Sequence, residues 1–181
     1  PRATWTGVAY PGAWATLDPI SLTDSASGRI VASQLIVACS LAGVSTDDGA
    51  TWLPSQGCGE GMLEDHQSLG GGPYHAPLTP APSKLAVYYC AQHDYVSSNL
   101  TGFATCSRID NGGLSFGPGI PIYNEPIFDS VSGQSAGTRC WGLHGHVKDG
   151  PDGTVYEPNF YCNHIVAARV SQDKRLTRTT R

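Results

Sequence analysis

Three short runs of apolar and β-branched residues stand out along the chain, and a turn leads into each. Residues 28–37 (Gly-Arg-Ile-Val-Ala-Ser-Gln-Leu-Ile-Val) follow the polar Asp24-Ser25-Ala26-Ser27. Residues 84–90 (Lys-Leu-Ala-Val-Tyr-Tyr-Cys) follow a Pro-rich connector, and residues 153–156 follow Asp149-Gly150-Pro151-Asp152. Such runs bounded by Gly, Pro, Asp and Ser predict strands entered from tight turns. Each leads to a cysteine, at Cys39, Cys90 and Cys162, and beyond each cysteine lie another short apolar run and a polar turn. The pattern predicts an all-β chain.

Composition sharpens this expectation. Only 14% of the 181 residues are charged, whereas Gly (22) and Pro (13) together approach a fifth. That balance favours short strands joined by turns over a helical bundle. A hydrophobic content of 40% is too high for a disordered chain. No run of about 18 apolar residues is present, which excludes a membrane-spanning helix. The length suits one domain of ordinary size or a piece of a larger one.

A net charge of −4 argues against nucleic-acid binding, which rests on neutralising phosphates with a basic surface. The charge is uneven: −8 through Ala168, then +4 over residues 169–181. Five basic residues without an aromatic suggest a solvated chain end more than a binding arm.

The six cysteines, Cys39, Cys58, Cys90, Cys106, Cys140 and Cys162, form successive couples 19, 16 and 22 residues apart. None has the C-x-x-C spacing of a zinc or redox site, so a disulfide set is expected, with no metal and no cofactor. Pairing of neighbours would close short loops worth about 3 kcal/mol each. It is one scheme among the roughly fifteen that six cysteines allow. Asn99-Leu100-Thr101 is an N-glycosylation acceptor. Cysteines and sequon together predict an extracellular protein.

One turn recurs. Ser45-Thr46-Asp47-Asp48-Gly49-Ala50-Thr51-Trp52 is followed 64 residues later by Ile109-Asp110-Asn111-Gly112-Gly113-Leu114-Ser115-Phe116. Asn111, Gly113, Ser115 and Phe116 stand in register with Asp47, Gly49, Thr51 and Trp52. A third copy 62 residues further keeps Ser171, Asp173 and Thr177 but has Arg175 and Arg178 for the glycine and the aromatic. The logic is physical: a carboxylate or amide accepts from turn N–H groups, glycine permits positive φ, and the aromatic is expected to drop into the core.

This S-x-D-x-G-x-T-W pattern resembles the Asp box, or BNR repeat, of sialidase-like β-propellers. The surrounding Gly70-Gly71-Gly72-Pro73, Tyr88-Tyr89-Cys90 and Gly142-Leu143-His144-Gly145-His146 also look like secreted bacterial or archaeal members of that superfamily. The resemblance implies a partial β-propeller of four-stranded antiparallel blades, with approximate blades at 18–70, 71–130 and 131–181. Closed propellers usually have about four to eight blades, so three imply part of a longer chain, a ring built from copies, or blades that stack openly against neighbours.

The resemblance also implies that Asp47 and Asn111 hold turns away from the substrate face. Sialidase chemistry would need an arginine cluster, a Tyr/Glu nucleophile pair and a separate acid. Arg139 is the one central arginine candidate, no Arg-Ile-Pro signature is present, and Tyr88-Tyr89 suits sheet packing better than nucleophilic attack. His144-Gly145-His146 on a strand would point both imidazoles to one face. With Asp65 and His66, they are candidates to line a propeller mouth and bind a glycan hydroxyl or a divalent ion. The alternative is that each histidine bonds a loop carbonyl. The expected function is glycan recognition, extending to exo-sialidase-like glycoside hydrolysis. The competing expectation is a structural or adhesive subunit whose partners are neighbouring proteins and which self-associates.

Overall fold

The computed structural model describes residues 3–8, 18–36, 39–55, 63–74, 85–95, 100–122, 144–162 and 165–171. Among these there is no helix, and the strands form three separate sheets. Sheet 1 is β1 (Pro19–Thr23), β2 (Ile30–Ile36), β3 (Cys39–Ser45) and β4 (Leu53–Ser55). Sheet 2 is β5 (Leu63–Pro73), β6 (Leu85–Tyr95), β7 (Leu100–Ile109) and β8 (Ile120–Pro121). Sheet 3 is β9 (Lys148–Asp149), β10 (Val155–Cys162) and β11 (Ile165–Ser171). Every pairing is antiparallel and follows chain order, so each sheet is an up-and-down meander.

The three expected strands are β2, β6 and β10, and the run beyond each cysteine is β3, β7 or β11. Local sequence explains the entries. Ahead of β2, Asp24 accepts Gly28 N on its carbonyl (2.8 Å) and Ala26 N on Oδ1 (2.9 Å). Ahead of β10, Asp152 accepts Thr154 N (3.0 Å) and Thr154 Oγ1 (2.8 Å). Both are side-chain-capped turns of the kind that Asp favours.

The middle sheet is covered on both sides. Along β6, Val87, Tyr89 and Ala91 pack towards sheet 1 with Val31, Val44 and Leu69, while Ala86, Tyr88 and Cys90 pack towards sheet 3 with Val147 and Val155. A strand buried on both faces needs an unbroken apolar run, which residues 85–91 supply. Cys90 and Cys106 face each other across β6 and β7 and form a disulfide within the second cluster.

The first strands of the sheets lie side by side. Gln67 Nε2 donates to Asp18 O and Gly71 faces Leu22, so β1 and β5 run in the same direction. Val147 N donates to Ser68 Oγ (3.3 Å) and Gly72 faces Asp149, so residues 144–149 also run alongside β5 in that direction. The triple glycine makes this closeness feasible. A Cβ on Gly70 would sit 2.8 Å from Val147 O, one on Gly71 2.6 Å from Leu22 Cδ2, and one on Gly72 2.5 Å from Asp149 Cβ. The glycines are therefore the interior of a strand squeezed between two neighbours. A boundary at residue 70 would cut β5 in two; the second sheet begins at Leu63, because Leu63–Pro73 pairs with β6 throughout.

Candidate functional site

The meander order assigns each connection to one of two ends. The β3–β4 and β7–β8 connections lie where β1 and β5 finish; the starts of β1 and β5 lie at the opposite, leading end. The repeated turns therefore sit at one end, and Asp65, His66 and His144 at the other.

In the first turn every functional atom is spent on the turn itself. Asp47 Oδ1 accepts Thr51 N (2.8 Å) and Ser45 Oγ (2.8 Å), while Oδ2 accepts Thr51 Oγ1 (2.6 Å). Ser45 Oγ in turn accepts Gly49 N at 2.8 Å. The Thr51 hydroxyl, then its N–H and the Ser45 hydroxyl, hold the Asp47 carboxyl below the usual carboxylate range. Asp48 (φ 56°) and Gly49 (φ 87°) turn the chain.

The second turn does the same with an amide. Asn111 Oδ1 accepts Leu114 N (3.0 Å) and Ser115 N (3.1 Å), and its Nδ2 donates to Ser115 Oγ (2.6 Å). Asp accepts from a hydroxyl where Asn donates to one, so the geometry survives the exchange. The place of Ser45 is taken by Ile109, which is fully buried. Of the aromatics, Phe116 packs on Tyr89 with ring centroids 5.0 Å apart, beside the core. Trp52 departs from expectation: it is half-buried and folds back, its Nε1 donating to Gly49 O (3.0 Å). An indole N–H must find an acceptor, and the nearest is its own turn. In the third copy Ser171 ends β11, and Asp173 and Thr177 lie outside the described residues.

At the leading end, β5 carries an irregularity between Asp65 and Ser68, opposite Gln92 and Cys90 of β6. The bulge throws His66 outward with φ 50° and turns Gln67 inward. Asp65 is exposed, and its Oδ1 accepts His66 N at 2.8 Å. The His66 ring stands edge-on to that of His144, centroids 6.0 Å apart.

His144 is 2% exposed, and its Nδ1 lies 2.7 Å from Gly145 O and 3.0 Å from Glu157 Oε1. The Gly145 carbonyl only accepts, which places a proton on Nδ1. Nε2 has no hydrogen-bond partner among the described residues. Leaving such an atom buried and unmatched costs about 1–3 kcal/mol. His146 is exposed and does not share the face of His144, because residues 144–147 are not a strand. Arg139, Asn99, Cys58 and Cys140 lie outside the described residues, as do the side chains of Cys39 and Cys162.

Two participants escaped the sequence reading. Glu157 is buried, and its signal was the period-two pattern of β10, in which Val155, Glu157 and Asn159 point inward around exposed Tyr156. Gln67 is also buried: its Oε1 accepts Ser33 Oγ of β2 (2.7 Å), Ser40 Oγ of β3 and Tyr89 OH of β6 (3.4 Å). Nothing local marks Gln67, since only the bulge aims it inward. Tyr88 is fully buried, and burial first, then the Asp149 carboxylate, push its phenol well above the ordinary value of 10.0. It stays neutral, as suits packing and not attack.

No family model matches the chain, and no curated protein matches it. Among solved structures, it is similar to a protein of unknown function from Dyadobacter fermentans, with a TM-score of 0.53 and 16% identity over 86% of this chain. That likeness concerns the fold alone, and the match spans 38% of the neighbour's length.

Proposed function

We propose that the chain is three successive blades of an Asp-box β-propeller resembling the sialidase-like superfamily, and that it recognises glycans outside the cell at its leading end. The observation that carries this reading is the arrangement of the first strands. Three chain-order meanders present β1, β5 and residues 144–149 side by side and in one direction, as blades around an axis would. The two capped turns then fall at the far end, and the polar groups Asp65, His66, His144 and Glu157 gather where a mouth would be. The Cys90–Cys106 disulfide is in keeping with an oxidising, extracellular setting. Among the described residues no helix is long and apolar enough to cross a membrane.

Recognition is preferred here to hydrolysis, because Tyr88, buried in the middle sheet near the Asp149 carboxylate, is held neutral. The test is a glycan array together with a panel of fluorogenic glycosides that includes a sialoside. Binding that weakens in His66→Ala, without turnover, is the expected result; no binding to any glycan would overturn the proposal. The second reading, a self-associating structural subunit, is favoured by Leu53 (58% exposed) on the outer edge strand of sheet 1, by exposed Ile120 on that of sheet 2 and by exposed Leu114 ahead of it. Light scattering at rising concentration decides it: a particle of constant monomer mass removes this reading.

A further inference from the structure

Three sheets in sequence leave two faces without a neighbour. Inside the chain, the side of a sheet that looks back along the sequence packs on the forward-looking side of the sheet before it. Val87 and Tyr89 of β6 meet Val31 and Val44 in this way, and Val155 of β10 meets Ala86 and Tyr88. Sheets 1 and 3 each touch sheet 2 but not each other, so no described strand covers the backward side of sheet 1 or the forward side of sheet 3. The first of these is not written for water. An antiparallel sheet with one wet face alternates apolar and polar residues. β2 instead carries Val31, Ser33 and Leu35 on its packed side and Ile30, Ala32, Gln34 and Ile36 on the other. None of the residues that β1 to β4 place on this uncovered side by register is charged. On sheet 3 the uncovered side holds Tyr156, which is 44% exposed, and Pro158. In register with them stand Val170 and Ala168 of β11 and Lys148 of β9.

Resting on the blade reading above, we infer that a second copy of this chain covers both faces. The Tyr156 side of sheet 3 in one copy packs on the Ala32 side of sheet 1 in the other, and the same contact made in return closes a ring. The occupant follows from continuity with the contacts inside the chain. A backward side packs on a forward side twice in each copy, and the two sides left over are one of each kind. The number of copies follows from arithmetic. Each copy brings three sheets, blades close around an axis at about four to eight, and six is the one multiple of three in that range. Two copies related by a twofold axis make the contact twice, which leaves neither end face wet. The surfaces also suit each other. Ser21, Ala32 and Gly43 form a row of small residues across β1, β2 and β3, a shallow place for the Tyr156 ring. Lys148 comes from the first strand of its sheet, as do the exposed hydroxyls of Ser21 and Thr23 that accept from it.

The experiment measures the mass of the 181-residue chain by sedimentation at rising concentration, where a particle of two chains should replace the monomer and grow no further. Tyr156→Asp and Ala32→Asp each put an unpaired charge into the contact, and each should weaken the dimer at least about tenfold with the melting profile of the monomer unchanged. Leu53→Ser, on the outer edge of sheet 1, should leave the dimer as it is. Mixing the two weakened variants should bring the dimer back, because one of its two contacts then joins an unaltered sheet 3 to an unaltered sheet 1. A contact of like face on like face would respond to one substitution and ignore the other. A monomer at every concentration, a particle that grows past two chains, a dimer that survives Tyr156→Asp, or a mixture that stays monomeric would each overturn the inference. The glycan array separates this failure from that of the reading beneath it: a monomer that binds glycans overturns the dimer alone, and a monomer that binds none overturns both. If Ala32→Asp does not fold, Tyr156→Asp, at a side chain already in water, still decides between dimer and monomer.

Discussion

At the scale of single residues, the structure separates groups that are chemically spent from those that are not. Asp47 is spent: its carboxyl is held down by Thr51 and Ser45, so it favours the folded state at pH values above the ordinary value of 3.8. That contribution disappears as pH falls through the lower folded value. Asp47→Asn should lower the melting temperature less than Asp47→Ala, because Asn111 already performs the same task with an amide. Thermal melts at pH 7 compare the two, and a larger loss for Asn than for Ala would refute the argument. Tyr88 behaves oppositely. Its folded pKa is raised, so in the folded state it holds a proton that the unfolded chain releases at about pH 10. Stability is fully present below that pH and falls as pH climbs from there towards the raised value. Since the Tyr88 hydroxyl has no hydrogen-bond partner among the described residues, Tyr88→Phe should change stability by no more than about 1 kcal/mol at pH 7. It should also flatten the decline between pH 10 and 11, measured by urea unfolding.

At the scale of elements, the sequence announced strands well and announced their neighbours poorly. β2, β6 and β10 were legible because turn residues precede compact apolar runs, and the paired faces of β6 follow from a run with no polar interruption. The approximate bound at residue 70 falls within β5, because three glycines carry no apolar or β-branched side chain that would mark a strand. Their meaning lies in what approaches them from other sheets. The same limit hid Glu157, whose inward direction is visible from period two but whose partner His144 comes from a separate segment. The glycines can be ranked by what a side chain would strike. At Gly71 the obstacle is the Leu22 tip, which can rotate, whereas at Gly70 it is the Val147 carbonyl, which cannot. Gly70→Ala should therefore destabilise by about 1–3 kcal/mol, as overpacked sites do, and Gly71→Ala by clearly less. Chemical denaturation of the two variants gives the order, and equal losses would mean that the first strands are free to separate.

At the scale of the whole molecule, what sets the three sheets in one order is contacts made along their first strands, and the Gln67 cluster and the Val147–Ser68 hydrogen bond are polar ones among them. The cluster ties β2 and β3 of sheet 1 to β6 of sheet 2 through a single amide oxygen that takes three hydroxyls, while its NH2 reaches Asp18 ahead of β1. The Cys90–Cys106 bridge, by contrast, joins adjacent strands inside sheet 2 and does nothing to align it with sheet 1. Apolar packing between the sheets tolerates sliding; hydrogen bonds of fixed direction do not, so the cluster should determine register more than it adds stability. Gln67→Leu keeps the volume but takes the acceptor from the Ser33 hydroxyl and leaves the buried hydroxyls of Ser40 and Tyr89, which bond each other, with one partner fewer, and should cost about 1–3 kcal/mol. Replacing those partners as well, with Ser33→Ala, Ser40→Ala and Tyr89→Phe, removes the unmatched groups and should recover most of the loss. Hydrogen exchange then distinguishes stability from alignment. The fourfold variant should protect amides within each sheet nearly as well as the wild type, yet lose the protection of amides whose shielding depends on how sheets 1 and 2 meet, while Val147, which bonds Ser68 between sheets 2 and 3, keeps its own. Recovery of stability together with unchanged exchange everywhere would show that apolar packing alone sets the order of the sheets.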